Sequence, residues 1–113
     1  MKIINETITV AELEQMAKNM FDDLVKAVVD IDKKIIAVDA PMHSDEEAEL
    51  IKNGSKQDNL WGINLYPKKE GEEFIEFDSM INLRPNQNNR SRGVDDPRIR
   101  EKIIQIVNER VAK

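Results

Sequence analysis

The segment Val25–Ala40 constrains this chain more than any other part of it. Val25-Lys26-Ala27-Val28-Val29-Asp30-Ile31 and Ile35-Ile36-Ala37-Val38-Asp39-Ala40 are short, β-branched runs separated only by Asp32-Lys33-Lys34. Two such runs joined by a polar turn form a hairpin. Side chains alternate along a strand, so Val25, Ala27, Val29 and Ile31 point one way, and Lys26, Val28 and Asp30 the other, with Asp39 sharing that second face.

The flanking segments supply helices and a second hairpin. Thr9 followed by Glu12 is a capping-box pattern, and the apolar positions after it repeat at helical spacing, predicting a helix over 10–22. Pro41 ends the first hairpin, Ser44 with Glu47 forms a second capping-box pattern, and Asn53-Gly54 is a stop signal, which places a short helix over 45–52. Leu60–Tyr66 and Phe74–Leu83 flank the charged connection Pro67–Glu72 and read as the second hairpin. Trp61, Ile63 and Leu65 then share a face with Ile75, Phe77, Ile81 and Leu83, provided that alternation holds through Ser79. Gly62, Asn64, Tyr66, Glu76, Asp78, Asn82 and Arg84 fall on the opposite face.

Arg84 to Asp96 is almost wholly polar and reads as loop. Asp96 is a natural N-cap with Pro97 at the first helical position, and Ile99, Ile103, Ile106 and Val107 carry a helix to the end of the chain. A small strand at Lys2–Ile4 precedes the first helix. The expected fold class is α+β: a single antiparallel sheet built from two hairpins, with three helices mainly on one face, in one domain over residues 1–113. The other sheet face stays open to water or to a partner.

Composition removes whole classes of chemistry. The chain has 113 residues, no cysteine and one histidine. That leaves no disulfide, no thiolate nucleophile and no set of ligands for zinc, so neither a metal nor a cofactor is expected. Glycines at 54, 62, 71 and 93 form no phosphate-binding fingerprint. A net charge of −5 repels a phosphate backbone at long range, which argues against general nucleic-acid binding. No apolar run approaches the ~20 residues that span a bilayer, and the first residues lack the apolar core of a secretory signal, so no membrane contact and a cytoplasmic location are expected. Nothing in the sequence sets an oligomeric state.

Candidate functional residues lie on the open face and in the polar loop. His43 sits between a strand end and a helix start beside several carboxylates, either as a surface histidine or as a base or ligand contact. Asp30, Asp32 and Asp39 read as solvated turn acids, because their spacing lacks the glycine and bidentate glutamate of a calcium loop. Trp61 reads as a core anchor with its indole N–H bonded nearby. Asn and Asp are poor strand formers, so Asn64, Asp78 and Asn82 on one strand face stand out. Arg84, Asn89 and Arg90 bring donors that can converge on an anion. The ligand-binding set is therefore His43, Asn64, Asp78, Asn82, Arg84, Asn89 and Arg90, with no catalytic residue assigned.

These residues support a module that binds a small anionic ligand or a partner through the open sheet face and the Arg84–Arg92 loop. A second reading is an enzyme acting on an anionic substrate, with Asp78 or His43 as general base and Arg84 and Arg90 holding the anion. A third is a structural or protein-interaction subunit that pairs through the open face.

The strings Gly54–Pro67, Asp78–Pro85 and Asn89-Arg90-Ser91, with Val25–Asp30 and His43–Glu46, resemble a family of small uncharacterised archaeal and bacterial proteins carried as a domain of unknown function. The likeness runs nearly end to end. It implies a cytoplasmic prokaryotic origin and lends no catalytic residue.

Overall fold

A computed structural model describes residues 1–113. In chain order the elements are β1 (Lys2–Ile4), β2 (Ile8–Thr9), α1 (Val10–Met20), β3 (Val25–Asp30), β4 (Ile35–Val38), α2 (His43–Lys52), β5 (Leu60–Leu65), β6 (Ile75–Glu76), α3 (Pro97–Arg110) and β7 (Val111–Ala112). Five strands make an antiparallel sheet in the order β1-β4-β3-β5-β6. The sequence points to a single sheet and a helix running to the chain end. Instead α3 stops at Arg110, and β7 pairs in parallel with β2 as a separate two-stranded sheet. Val111 is buried there in the main core, which tethers the chain end.

Alternation along the strands divides the sheet into two faces. Val25, Ala27 and Val29 of β3, Ile36 and Val38 of β4, and Trp61, Ile63 and Leu65 of β5 pack with Leu13 and Ala17 of α1 and with Ile103, Ile106 and Val107 of α3. The opposite face has its own small core of Val28, Ala37, Leu50 and Leu60, with Ile3, Ile35 and Ile81 against it. The face expected to stay open is thus half covered by α2. Leu50 and His43 share the buried side of α2 with Glu46, which forces that helix onto the sheet.

Local chemistry explains the other departures from expectation. α2 begins at His43 with Met42 in the cap position and no side-chain cap, so Ser44 and Glu47 do not form a capping box. Asp30 is no solvated turn acid: it is fully buried. Its Oδ1 accepts from the Asp32 and Lys33 amides, and its Oδ2 accepts from the Ser55 hydroxyl at 2.6 Å. Thr9 and Asp96, in contrast, cap α1 and α3 as their residue types dictate.

The strand expected over 74–83 ends at Glu76. Ser79 then caps a single 3₁₀ turn at Met80–Asn82, breaking the alternation. Ile81 consequently packs against the second face rather than beside Trp61, and Leu83 is exposed. No helix is long and apolar enough to cross a membrane.

Candidate ligand cleft

The uncovered half of the second sheet face forms a cleft of about 570 Å³ between the start of α2, the strands and the segment after β6. Its floor is a row across three strands: Lys26 of β3 lies beside Asn64 of β5, which lies beside Glu76 of β6. His43 and Ser44 enter from the first turn of α2, and Asp78 and Arg92 form part of the rim. Phe21, Leu24, Met42, Met80 and Ile81 provide apolar wall.

His43 stands in a helix rather than in a loop, and it is buried. The Ile63 carbonyl can only accept, so His43 Nε2 carries the proton and donates to it at 2.8 Å. Burial pushes the imidazole below its ordinary pKa, against the pull of the Ile63 bond, and the Lys26 ammonium acts in the same direction as burial. The ring is therefore neutral near pH 7, with its lone pair on Nδ1.

Asn64 is 7% exposed. Its Nδ2 donates to Glu76 Oε1 at 2.8 Å and, less closely, to the Asp78 carbonyl. Both partners are acceptors, which fixes the orientation of the amide and turns Oδ1 away from them. The Asn64 side chain is close enough to the His43 ring to favour its charged form, while Oδ1 is sealed from solvent and makes no hydrogen bond of its own. A buried carbonyl without a partner is costly and uncommon.

The charges in the cleft are unevenly satisfied. Asp78 is paired with Arg92 Nε at 2.6 Å. Glu76 accepts from Asn64 and from the Tyr66 hydroxyl at 3.0 Å, but takes part in no ion pair. Burial and then Glu76 hold the Tyr66 hydroxyl protonated, its pKa pushed up to about 12. Lys26 has no carboxylate within ion-pair reach; its ammonium lies 5.2 Å from the centre of the Phe21 ring. The Asp45 and Glu46 amides bond the Met42 carbonyl, which leaves the His43 and Ser44 amides at the start of α2 to add partial positive charge.

Beneath the same turn, Glu46 is fully buried and neither carboxyl oxygen finds a hydrogen-bond partner. Burial pushes its pKa up to about 10, and the Ala40 backbone and the Lys26 ammonium oppose the shift without cancelling it. Glu46 is thus a neutral acid at pH 7. The spacing of His43, Glu46 and Leu50 along one helix face is the sequence signal that marks it.

Of the residues singled out from sequence, His43, Asn64 and Asp78 meet in the cleft. Asn82, Arg84 and Asn89 do not line it; they are 0%, 8% and 3% exposed and organise the backbone. Asn82 bonds both backbone groups of Gly62 and the Arg92 carbonyl. Arg84 donates to the Leu60 carbonyl at 2.6 Å, pairs with Glu47 of α2 and stacks 4.9 Å from the Trp61 ring centre. Trp61 Nε1 itself has no partner, contrary to expectation. Asn89 Nδ2 holds the carbonyls of Asn82, Ser91 and Gly93, while its Oδ1 accepts from the Asp95 amide. Arg90 is exposed, and its backbone amide bonds the Asp95 carboxylate, which the Ser91 hydroxyl and that amide hold below the usual carboxylate pKa. Lys26, Tyr66, Glu76, Ser44 and Arg92 complete the cleft and were not in the sequence-derived set.

Residues 2–110 match the family model described as protein of unknown function DUF5674. The chain belongs to that family. The match covers all the cleft residues, so the cleft is part of the DUF5674 domain rather than of an addition to it. No curated protein and no solved structure matches the chain.

Proposed function

We propose that this DUF5674 member is a small-ligand-binding module whose site is the cleft at the start of α2, and that the ligand carries a negatively charged group. The observation that carries this reading is Lys26. It is a half-buried residue whose ammonium has no carboxylate partner, and it shares the cleft with the first turn of α2. A cleft of this volume lies within the range that holds small molecules, and its apolar wall gives the rest of a ligand something to cover.

This reading moves the anion site away from the Arg84–Arg92 loop, whose arginine and amide groups already serve backbone carbonyls and carboxylates. The test is a titration with isocaproate and with inorganic phosphate, followed through backbone amide signals. Shifts at Lys26, at Met42–Ser44 and at Asn64, lost in Lys26→Met, are expected. Shifts confined to residues 84–92, or none at all, would reject the cleft.

A further inference from the structure

We infer that the ligand is a zwitterion, namely a free α-amino acid with an apolar side chain. This rests on the cleft being the ligand site, and it follows from the order of charges along the floor. Lys26, Asn64 and Glu76 stand side by side on β3, β5 and β6. Neighbouring strands are about 4.8 Å apart, so the backbones that carry the cation and the anion lie roughly 10 Å apart with an amide-bearing strand between them. Neither end is neutralised by the protein, since neither Lys26 nor Glu76 belongs to an ion pair. A simple anion would satisfy Lys26 and the α2 amides, but it would be repelled by Glu76 and would leave that carboxylate without a counter-charge.

An α-amino acid answers each of these groups. Its carboxylate sits toward Lys26 and the first amides of α2. Its ammonium offers donors to Glu76, whose position is set by the Asn64 and Tyr66 hydrogen bonds. Its side chain lies against Phe21, Leu24, Met42, Met80 and Ile81. Asp78 does not compete for the ammonium on equal terms, because Arg92 already neutralises it. Nearly all of the cleft's remaining lining is polar, so a long apolar tail gains nothing and a side chain of leucine or methionine size is the best match.

The experiment compares L-leucine with two relatives of the same shape, isocaproate, which lacks the amino group, and isopentylamine, which lacks the carboxylate. Binding to the unaltered protein is measured by calorimetry and by amide shifts. Leucine is expected to bind at least about tenfold more tightly than either relative, the difference that one lost charge-assisted hydrogen bond produces. Glu76→Gln is expected to weaken leucine and, by removing the repulsion, to strengthen isocaproate, so that the two converge. Isocaproate binding as tightly as leucine would overturn the zwitterion and leave the anion cleft standing. Amine binding as tightly as leucine would overturn it as well. If neither leucine, isocaproate nor phosphate shifts the cleft amides, the cleft itself is rejected along with it. The comparison of ligands uses the natural chain, so it stands even if a variant fails to fold.

Discussion

Asn82 holds Gly62 by both of its backbone groups, its Oδ1 accepting from the Gly62 amide at 2.8 Å and its Nδ2 donating to the Gly62 carbonyl at 3.0 Å. A side-chain amide here takes the place of a strand. β6 pairs with β5 only at Asn64 and Leu65, so the edge of β5 beyond them has no backbone neighbour. Arg84 continues the same substitution at the Leu60 carbonyl. The edge is closed by side chains, which lets the segment after β6 turn away and form the cleft rim.

Replacing Asn82 with Ala should therefore destabilise the protein by about 2–4 kcal/mol, because buried backbone groups of Gly62 lose their partners. Urea unfolding monitored by Trp61 fluorescence measures it. A change below about half a kcal/mol would show that water or a local shift replaces the amide at little cost.

Gly62 also permits a close approach. A Cβ at this position would lie 2.5 Å from Ser79 Cβ and 2.6 Å from Ser79 Oγ. Gly62→Ala should cost about 1–3 kcal/mol through overpacking. The double variant Gly62→Ala, Ser79→Gly removes that clash, and a double-mutant cycle should show favourable coupling between the two sites. Strict additivity would mean that the clash is relieved elsewhere.

Glu46 gives a pH-dependent prediction. Its carboxyl ionises near the ordinary value of 4.5 in the unfolded chain but near 10 in the folded protein, so across that window the folded state keeps a proton that the unfolded state has released. Rising pH then favours unfolding. Glu46→Gln removes this contribution, and its gain in melting temperature over the natural protein should grow from pH 5 to pH 9. His43 has the opposite sign: its pKa is depressed in the folded state, so its contribution is present above the ordinary 6.5 and is lost as pH falls below it. Both proteins in the comparison contain His43, so that contribution cancels. Melting curves that stay parallel over the whole range would refute the neutral buried acid.

Arg84 should behave as a structural residue. Arg84→Lys keeps the charge but loses the planar fork, whose Nη2 serves Leu60 and Glu47 while Nη1 reaches Gln87, and the stacking on Trp61. A loss of about 1–3 kcal/mol in unfolding free energy is expected, from a buried carbonyl left without its donor. Isocaproate binding in the cleft should be unchanged at temperatures where the variant is folded. A variant as stable as the natural protein but unable to bind would return Arg84 to the ligand site.

Ile103 is fully buried between α3 and the sheet, whereas Phe77 is only half-buried, with Arg100 over its ring. Ile103→Ala should cost about 2–5 kcal/mol. Phe77→Ala should cost less than the full loss of a core aromatic, and chemical denaturation of the two variants gives the order directly. The reverse order would place the centre of the core nearer β6.

The sequence by itself determined the elements whose signals are local. Alternation assigned both faces of β3 and β5 correctly, and Thr9, Asp96 and Pro97 marked the starts of α1 and α3, because a cap or a pleat depends on residues within a few positions. It also brought Asn64 and Asp78 forward as poor strand formers on a strand face, and His43 as a histidine beside carboxylates at a helix start. Only the tertiary structure decided what the polar residues bond. Asn82 and Arg84 look like ligand contacts in the sequence, yet their partners Gly62 and Leu60 lie 20 and 24 residues away. No periodicity reports that a strand edge will be closed by a side chain. The same holds for Glu46, an ordinary first-turn acid by its position in α2, whose charge state is set by its burial against the second sheet face. Local propensity fixes which way a side chain leaves the backbone; the packing of distant elements fixes what it meets and whether water reaches it.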